Sequence, residues 1–371
     1  MDFHKTLFAA VAAVTLGACG APADFSEVLE NAVAKGLPGV ALYVRSDDGA
    51  VWVGQAGVSS IENGTPLAAD DKFLIFGAVQ PFIAVTVLQM ADEGLLGLDN
   101  TVPSLGGLEA VYEVPNVQRV TLRHALRHTS GVFDYVETFG FQEALLGPEQ
   151  DPDRIWTPLD TLAFVSGRGY RPSFSPGDGV EFSSSNATLL GVAVEGVTGR
   201  PLGEDLQERI FSPVGMTATR FGGSDGVIPG YVALEPNVLD YGIGADFPER
   251  RAGLVELSGI DPSWAWAAGG IVSTLGDLAA FTEALFAGEL LSPDRQSLMF
   301  DFLPPVWVRG DGEVMAFGLG LMRRQTEFGP AIGHEGAGAG FQTMLYRLPD
   351  LGITMVAMTN SSGQKITLEA V

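Results

Sequence analysis

Hydrophobic and polar residues alternate near both ends of the chain, whereas apolar residues in the middle follow a helical spacing. The alternating runs VALYVRS and VWVGQAG, residues 40–46 and 51–57, are separated by the turn DDGA, which is typical of a β-hairpin. Three more strand-like runs lie near the C-terminus, the last two joined by the turn PDLG: FGLGLMRR, FQTMLYRL and GITMVAMTN. Strands are therefore predicted at both ends of the chain.

The interval from about residue 60 to 310 is predicted to be mostly helical, with helix ends at Gly and Pro. The clearest helical segments are PFIAVTVLQMADEG, SNATLLGVAVEGVTG, LGEDLQERIF and LGDLAAFTEALFAG. Terminal strands on either side of a helical middle predict one antiparallel sheet built from both chain ends, with helices on its faces. The expected fold is a three-layer α/β (α+β) sandwich with an inserted helical subdomain.

Chain length and net charge limit the number of domains and exclude some classes of binding partner. With 371 residues and 46% hydrophobic content, the chain can bury a large core in one big domain or two closely joined ones. The formal net charge is −24 and the pI is about 4.3, so phosphate backbones are repelled and no nucleic-acid partner is expected.

The N-terminus has the pattern of a secretion signal. A charged start is followed by an apolar run from Leu7 to Ala18, which is too short for a permanent membrane-spanning helix. The run ends in LGAC, which is similar to the bacterial lipoprotein box, in which the signal is cut before the cysteine and that thiol receives a diacylglycerol. Cys19 is the only cysteine in the chain. The alternative is an ordinary signal with an unrelated cysteine.

This interpretation gives the expected organisation of the chain. Residues 1–18 are a lipoprotein signal peptide, residues 19–24 are a short lipidated tether, and residues 25–371 form one domain that includes the helical insertion at about 60–310. The protein is then expected in the bacterial cell envelope, facing the periplasm and attached to the membrane through lipidated Cys19.

Five ordered segments carry a resemblance to a known family. They are FLIFGAVQPFIAVTVLQMADEGLLGLDNTV, TLRHALRHTSGV, FSPGDGVEFSSSNATLLG, AGGIVSTLGDLAAF and IGHEGAGAGF. Together they resemble the serine β-lactamase-related family, which includes class C β-lactamases, D-alanyl-D-alanine carboxypeptidases and β-lactamase-like esterases. The resemblance implies the β-lactamase/transpeptidase type of fold and covers nearly all of the chain after the signal.

The resemblance also shows where this chain departs from the family pattern. Family members use a serine nucleophile, a lysine three residues later that accepts its proton, and a tyrosine across the cleft. These positions are occupied here by Gly77, Gln80 and Ser184. Glycine supplies no nucleophile, and a glutamine amide accepts no proton at neutral pH. The sequence therefore predicts a degenerate active site with no intact catalytic residue.

The remaining motif positions imply a cleft that either still binds ligands or is an inert relic of the active site. Asn186, His334 and Gly336 match the family, and the resemblance places backbone N–H donors of an oxyanion hole at Gly77 and Ala337. Backbone donors persist whatever the side chain. Together with Ser184, these residues are expected to contact a carboxylate or carbonyl group.

Three other sets of residues are candidate sources of chemistry. Ser184 could act with His334 as a relocated nucleophile, or the three serines 183–185 could fill the space left by tyrosine and cap the following helix. Ser362 and Lys365 have the Ser-x-x-Lys spacing, but no apolar helix follows them. His124 and His128 are spaced for zinc on a helix, although both are commonly structural in the family. No metal and no cofactor are expected.

Four further residues are interpreted mainly as structural. Ser130 and Ser273 are expected at turns or helix caps, and Trp264 and Trp266 in the cleft wall or the core.

Three functional hypotheses follow from the sequence. The first is a membrane-anchored pseudoenzyme of the β-lactamase-related family, whose cleft binds a cell-wall peptide or small acyl ligand. The second is an active serine hydrolase, an esterase or peptidase, that uses an unconventional nucleophile such as Ser184. The third is a purely structural envelope protein.

Overall fold

The computed structural model describes residues 24–106, 109–147, 149–167, 169–233, 250–251, 254–257, 259–305, 307–308 and 314–362. The α-helices in these ranges are α1 (Ser26–Ala34), α2 (Gln80–Asp92), α3 (Leu122–Leu126), α4 (Phe139–Leu146), α5 (Pro158–Ala163), α6 (Ser184–Thr198), α7 (Leu202–Leu206), α8 (Ser212–Val214), α9 (Trp266–Gly269), α10 (Leu275–Ala287) and α11 (Pro293–Met299). Short 3-10 turns connect many of them, and one π-helical turn, Gln207–Phe211, joins α7 to α8.

The strands are β1 (Gly39–Ser46), β2 (Val51–Ser60), β3 (Thr65–Pro66), β4 (Phe73–Leu74), β5 (Arg220–Phe221), β6 (Tyr231–Ala233), β7 (Arg250–Arg251), β8 (Leu254–Glu256), β9 (Ile271–Ser273), β10 (Trp307–Val308), β11 (Val314–Phe317), β12 (Met322–Thr326), β13 (Gly329–Gly338), β14 (Phe341–Leu348), β15 (Ile353–Thr359) and β16 (Ser361–Ser362).

The main sheet joins the two ends of the chain, as predicted. Its strand order is β10-β11-β12-β13-β14-β15-β1-β2-β3, and neighbouring strands are antiparallel. β1 pairs with the C-terminal β15, with Val40 opposite Thr359. The predicted antiparallel sheet is therefore confirmed.

Helices cover both faces of this sheet and give it three layers. Along β1, Val40, Leu42 and Val44 pack in one apolar cluster with α1, whereas Ala41 belongs to the larger cluster on the other face. This alternation is what a strand buried on both faces requires. α10 packs on the second face, where the Tyr43 hydroxyl donates to Glu283 Oε1 at 2.8 Å.

The four helical segments predicted from the sequence are helices in the structure, from α2 to α10. Two small sheets lie outside the main one, with strand orders β4-β9-β5 and β16-β6-β8-β7. In the part of the chain that the structure describes, no helix combines the length and apolar character needed to cross a membrane. The predicted signal peptide and Cys19 lie outside the described residues.

The strand predicted over FGLGLMRR is wrong in one respect. The segment contains the end of β11, a turn, and the start of β12. Gly320 in the turn has φ +69°, a conformation that favours glycine, and a Cβ there would lie 2.4 Å from the Cβ of Ala84 in α2. The alternation of glycine with apolar residues therefore marks a tight corner packed against α2.

Candidate functional site

The segment that corresponds to the family's nucleophile forms the start of a buried helix. Residues Phe76–Val79 make a 3-10 turn, and α2 follows from Gln80 with Pro81 in its first turn, where a missing N–H costs nothing. Phe76 has φ +44°, a strained value for a residue with a side chain. Its ring packs against Trp264, with the ring centroids 5.6 Å apart.

β13 packs directly against this turn. A Cβ built on Gly336 would lie 2.7 Å from the Gly77 nitrogen and 2.0 Å from the Ile75 carbonyl oxygen. Glycine at 336 thus allows the two backbones to touch. The next residue, Ala337, is exposed. The structure therefore places Gly77 against Gly336, the residue before Ala337, and the backbone donors are predicted at Gly77 and Ala337.

Glu335 closes the space in front of residue 77. A Cβ built on Gly77 would lie 2.8 Å from the Glu335 carbonyl oxygen, a distance that real Cβ atoms do not tolerate without movement. The same oxygen lies 2.8 Å from Nδ1 of His334. The glycine therefore removes the nucleophile and also lets β13 approach the helix start.

Ser184 lies at the first position of α6, and its hydroxyl donates to Asp134 Oδ2 at 3.2 Å. The Ser184–His334 pair that was one of two alternatives does not form a hydrogen bond: Nδ1 of His334 lies against the Glu335 carbonyl, and Nε2 has no partner among the described residues. The reason is geometric, since the short serine side chain reaches the neighbouring loop rather than the sheet across the cleft.

The sequence did not predict the hydrogen bond between Ser184 and Asp134. This carboxyl group is 8% exposed, and burial raises its pKa to about 6 despite a hydrogen bond from the Val136 N–H. A buried carboxylate that meets a hydroxyl at a helix start is a candidate functional group. The available signal was an isolated acidic residue in the apolar stretch GVFDYV just after HTSG.

The neighbouring serines do not cap α6 as expected. Ser183 occupies the cap position, but its hydroxyl makes no capping bond and has no partner among the described residues. The Ser185 hydroxyl donates to the Phe133 carbonyl at 2.8 Å and accepts from the Tyr135 N–H at 3.1 Å. Ser185 thus ties the helix start to the segment that carries Asp134.

A buried polar network lies beneath this helix start. Ser130 Oγ donates to Asn186 Oδ1 at 2.6 Å, and Asn186 Nδ2 lies 3.1 Å from Nδ1 of His128. The backbone N–H of Ser183 also donates to that nitrogen, at 3.2 Å. Burial, together with nearby His334, lowers the pKa of His128 to about 3, so the ring is neutral.

Several motif residues have buried polar atoms without partners among the described residues, and His128 Nε2 and Ser183 Oγ are two of them. Gln80 and His334 are each 1% exposed, and neither Gln80 Nε2 nor His334 Nε2 has a hydrogen-bond partner within the described ranges. Burial lowers the pKa of His334 to about 4. Buried polar groups are normally satisfied, so these two atoms call for an explanation.

The other candidates have structural surroundings. His124 Nδ1 accepts from the Thr121 N–H in a capping box of α3. Ser273 lies at the end of β9 with its hydroxyl 2.7 Å from that of Thr219, and Thr274 caps α10 in its place. No group of three or more His, Cys, Asp or Glu residues able to hold a metal ion occurs among the described residues.

The remaining candidates are also placed. Trp264 is buried between Phe76 and Phe141, so it packs behind the turn Phe76–Val79. Trp266 packs against Gly191 in α6. Ser362 accepts from the Gly340 N–H at 3.0 Å. Its partner in the Ser-x-x-Lys spacing, Lys365, lies outside the described residues.

Comparison with known proteins identifies relatives over most of the chain. Residues 25–368 match the family described as Beta-lactamase. The sequence is 26% identical to penicillin-binding protein 4* of Bacillus subtilis over 313 residues, covering 82% of this chain and 64% of that protein. It is 26% identical to a D-aminopeptidase of Brucella anthropi over 330 residues, covering 89% and 57%. The chain thus spans about three fifths of the length of these curated relatives.

Solved structures match with fuller coverage. A D-stereospecific amidohydrolase from a Streptomyces species has a TM-score of 0.76 at 29% identity, covering 94% of this chain and 97% of that one. A D-amino acid amidase from Ochrobactrum anthropi SV3, crystallised with L-phenylalanine, has a TM-score of 0.78 at 25% identity, covering 92% of each chain. These matches agree with the fold type predicted from the sequence.

Proposed function

The chain belongs to the beta-lactamase family, and on that premise we propose that it is a catalytically inactive member whose cleft binds a small acyl or peptide ligand. The observation that carries this proposal is the state of residue 77. It is a glycine, and a Cβ built at this position would lie only 2.8 Å from the Glu335 carbonyl oxygen. Loss of the nucleophile costs a serine hydrolase on the order of a millionfold in turnover.

The other two reactive positions support the same proposal. Gln80 presents a neutral amide in place of a base, and Ser184 stands in place of the family's tyrosine and lacks its phenol group. The backbone N–H groups at Gly77 and Ala337 remain available as possible ligand donors. Gly77 lies in the turn before α2, and Ala337 lies in β13, which packs against that turn. Such donors suit a carbonyl oxygen even where no reaction follows.

The relatives indicate which ligands to try. They are named a D-aminopeptidase, a D-stereospecific amidohydrolase and a D-amino acid amidase. A ligand built from a D-amino acid, such as the end of a cell-wall peptide, is therefore the proposed class.

One observation favours a second candidate function, an active serine hydrolase. Ser184 Oγ lies 3.2 Å from the Asp134 carboxylate, at the N-terminus of a fifteen-residue helix. In this variant of the relocated-nucleophile hypothesis, Asp134 takes the place of His334 as the base. The substitution Ser184→Ala tests it, because hydrolysis by this route must disappear with the hydroxyl.

We propose in addition that the protein is a lipoprotein of the bacterial envelope, anchored through Cys19 and facing the periplasm. The support is the sequence LGAC after a short apolar run. The anchor would hold the cleft close to the membrane surface, since only residues 20–24 separate Cys19 from the predicted domain.

Two measurements test the proposed function. In differential scanning calorimetry, N-acetyl-D-alanine derivatives should raise the melting temperature of the purified protein. A ligand that binds only the folded state stabilises that state. The variant Gly77→Ser/Gln80→Lys, alone and with Ser184→Tyr, should gain ester hydrolysis that the unmodified protein lacks. Hydrolysis by the unmodified protein that Ser184→Ala abolishes would overturn the proposal. The absence of protection by any ligand would favour the purely structural role.

A further inference from the structure

The outer edge of β2 is open along most of its length in the described part of the chain. β2 pairs with β1 through residues 51–57, whereas β3 meets β2 only at Val58 and Ser60. Along residues 51–56, β2 is therefore the outermost strand of the main sheet. An exposed strand edge of this kind is a template for pairing with another strand.

The backbone groups on this edge can be assigned from the hydrogen bonds at the two ends of the β1–β2 pair. The Val58 N–H donates to the Pro38 carbonyl at 2.7 Å, and the Ser46 N–H donates to the Ala50 carbonyl at 3.0 Å. Bonded positions alternate along an antiparallel pair, so the even-numbered residues of β2 bond to β1. The odd-numbered residues therefore direct their N–H and C=O groups away from β1.

The hydrogen bond of Gly57 agrees with this assignment. Its carbonyl points outward and accepts from the Leu67 N–H at 3.1 Å, which closes the edge at that end. The outward N–H and C=O groups of Val51, Val53 and Gln55 have no partner among the described residues. These three residues can therefore form a ladder of hydrogen bonds with one more strand.

The edge lacks the features that usually prevent strand edges from pairing. From Gly49 to Ile61 the sequence GAVWVGQAGVSSI contains no charged residue and no proline, in a chain that is 18% charged. Natural edge strands are commonly protected by lysine, by proline or by a bulge. Val51 and Val53 are 55% and 50% exposed. The edge thus combines open backbone groups with exposed apolar side chains.

We propose that a second copy of the chain pairs with this edge: β2 of one copy lies antiparallel to β2 of the other, and the two main sheets join into one. Such a contact is isologous, because the same backbone groups of each copy satisfy one another. The inference goes beyond the proposed function, since β14, β15 and β1 separate β2 from β13 at the cleft.

The distribution of charge favours a second copy as the partner. With the two-fold axis near Val53, the uncharged segment 49–57 of one copy faces the same segment of the other. Like charges directly opposite each other would destabilise a strand pair, and here none are opposed. The net charge of −24 on each copy still opposes association at longer range, so the dimer should dissociate more readily at low salt.

The position of the chain start also fits two copies side by side. Phe25, just before α1, packs on Trp52 of β2, with the ring centroids 5.2 Å apart. The two-fold axis of a continuous antiparallel sheet is perpendicular to the sheet, so both copies carry α1 on the same face. Both copies of the proposed anchor at Cys19 can then reach one membrane. The segment GAPA, which separates Cys19 from Asp24, is short and contains Pro22, so it is a poor strand for the same edge.

Sedimentation velocity of the purified full chain in detergent tests the association. The unmodified protein should form a dimer of 39.0 kDa chains as its concentration rises. Val53→Lys should abolish the dimer, because two like charges would meet at the axis. Val314→Lys is the matched control and should dimerise like the unmodified protein, since Val314 is 42% exposed and lies in β11, near the opposite edge of the sheet. Equal melting temperatures of the two variants show that both are folded.

Cross-linking in isolated membranes tests the geometry. Val53→Cys lies beside the two-fold axis, so a short bismaleimide should link two copies of this variant. Val314→Cys is the control and should not be linked. The unmodified protein shows any background from Cys19.

Hydrogen exchange identifies what covers the edge. The amides of Val51 and Gln55 should exchange at least about tenfold more slowly in the dimer than in the Val53→Lys monomer, the effect of one added hydrogen bond. Slow exchange in a monomer would mean that another segment of the same chain covers the edge, and would overturn the inference.

Two further results would also contradict the proposal. An unmodified protein that stays monomeric at every concentration and salt, with no cross-linked Val53→Cys, would show that the edge has no second copy as partner. A dimer that survives Val53→Lys would place the interface elsewhere. Neither result bears on ligand binding in the cleft, which the thermal measurements test separately.

Discussion

The Glu335 carbonyl oxygen lies 2.8 Å from the position that the Cβ of a side chain on Gly77 would take. Gly77→Ala should therefore lower the free energy of unfolding by about 1–3 kcal/mol, because β13 must move or the helix start must shift. Urea denaturation measures this change. Gly276→Ala, at an exposed position in α10 where a Cβ meets nothing within 4 Å, is the control and should raise it by up to about 1 kcal/mol. Equal or greater stability of Gly77→Ala would show that the space is open.

Asn186 has its amide held by two buried partners, Ser130 and His128. Asn186→Ala should lower the free energy of unfolding by about 2–4 kcal/mol, since it removes buried packing and one hydrogen bond from each of these two partners. Urea denaturation of this variant and of Asn63→Ala, at an exposed position, makes the comparison. A double-mutant cycle with Ser130→Ala should show a coupling of about 1 kcal/mol or more. Additive effects would mean that the two side chains do not cooperate.

Asp134 should make stability depend on pH. Burial raises the pKa of its carboxyl from 3.8 to about 6 in the folded protein. A raised pKa means that the folded state binds the proton more tightly, so the contribution to stability is complete below pH 3.8 and is lost as the pH rises through 6. The free energy of unfolding, measured relative to Asp134→Asn, should therefore rise by up to about 3 kcal/mol between pH 7.5 and pH 4.

The control for this series is Asp178→Asn, which removes an exposed carboxyl and so corrects for the general effect of one charge. Urea midpoints at four pH values are sufficient. A difference between the unmodified protein and Asp134→Asn that stays constant with pH would contradict the assigned environment of Asp134.

Cys19 should decide where the protein is found. Cys19→Ser should abolish incorporation of radiolabelled fatty acid and release the protein from the membrane fraction, because a serine cannot form the thioether. The control is Ser26→Ala, which leaves the thiol in place. Membrane attachment and labelling that survive Cys19→Ser would favour the ordinary signal with an unrelated cysteine.

The fold was predictable from the sequence where the buried residues of an element recur at regular spacing. β1 alternates between two apolar clusters, and α2 and α10 carry long apolar runs with clear ends, so these elements follow from the residues alone. The error at FGLGLMRR has a physical cause. Gly320 must take a positive φ and pack on α2, and this contact between distant segments leaves no local periodic signal.

The candidate site was predictable only in part. The resemblance gave the positions of Gly77, Gln80 and Ser184, and the contact between Gly77 and Gly336 matches their expected adjacency. The bond between Ser184 and Asp134 joins residues fifty positions apart. The unpaired nitrogen of His334 depends on which neighbour holds Nδ1. Such pairings arise from three-dimensional packing, which spacing along the chain does not encode.

The most direct test of the account is intact mass spectrometry of the protein after exposure to a fluorophosphonate and to a β-lactam. The account predicts no mass increase with either reagent, because Gly77 offers no nucleophile and Gln80 offers no base. Gly77→Ser/Gln80→Lys serves as the positive control and should gain an adduct. A stoichiometric adduct on the unmodified protein, mapped to one serine such as Ser184, would contradict the account and establish a relocated active site.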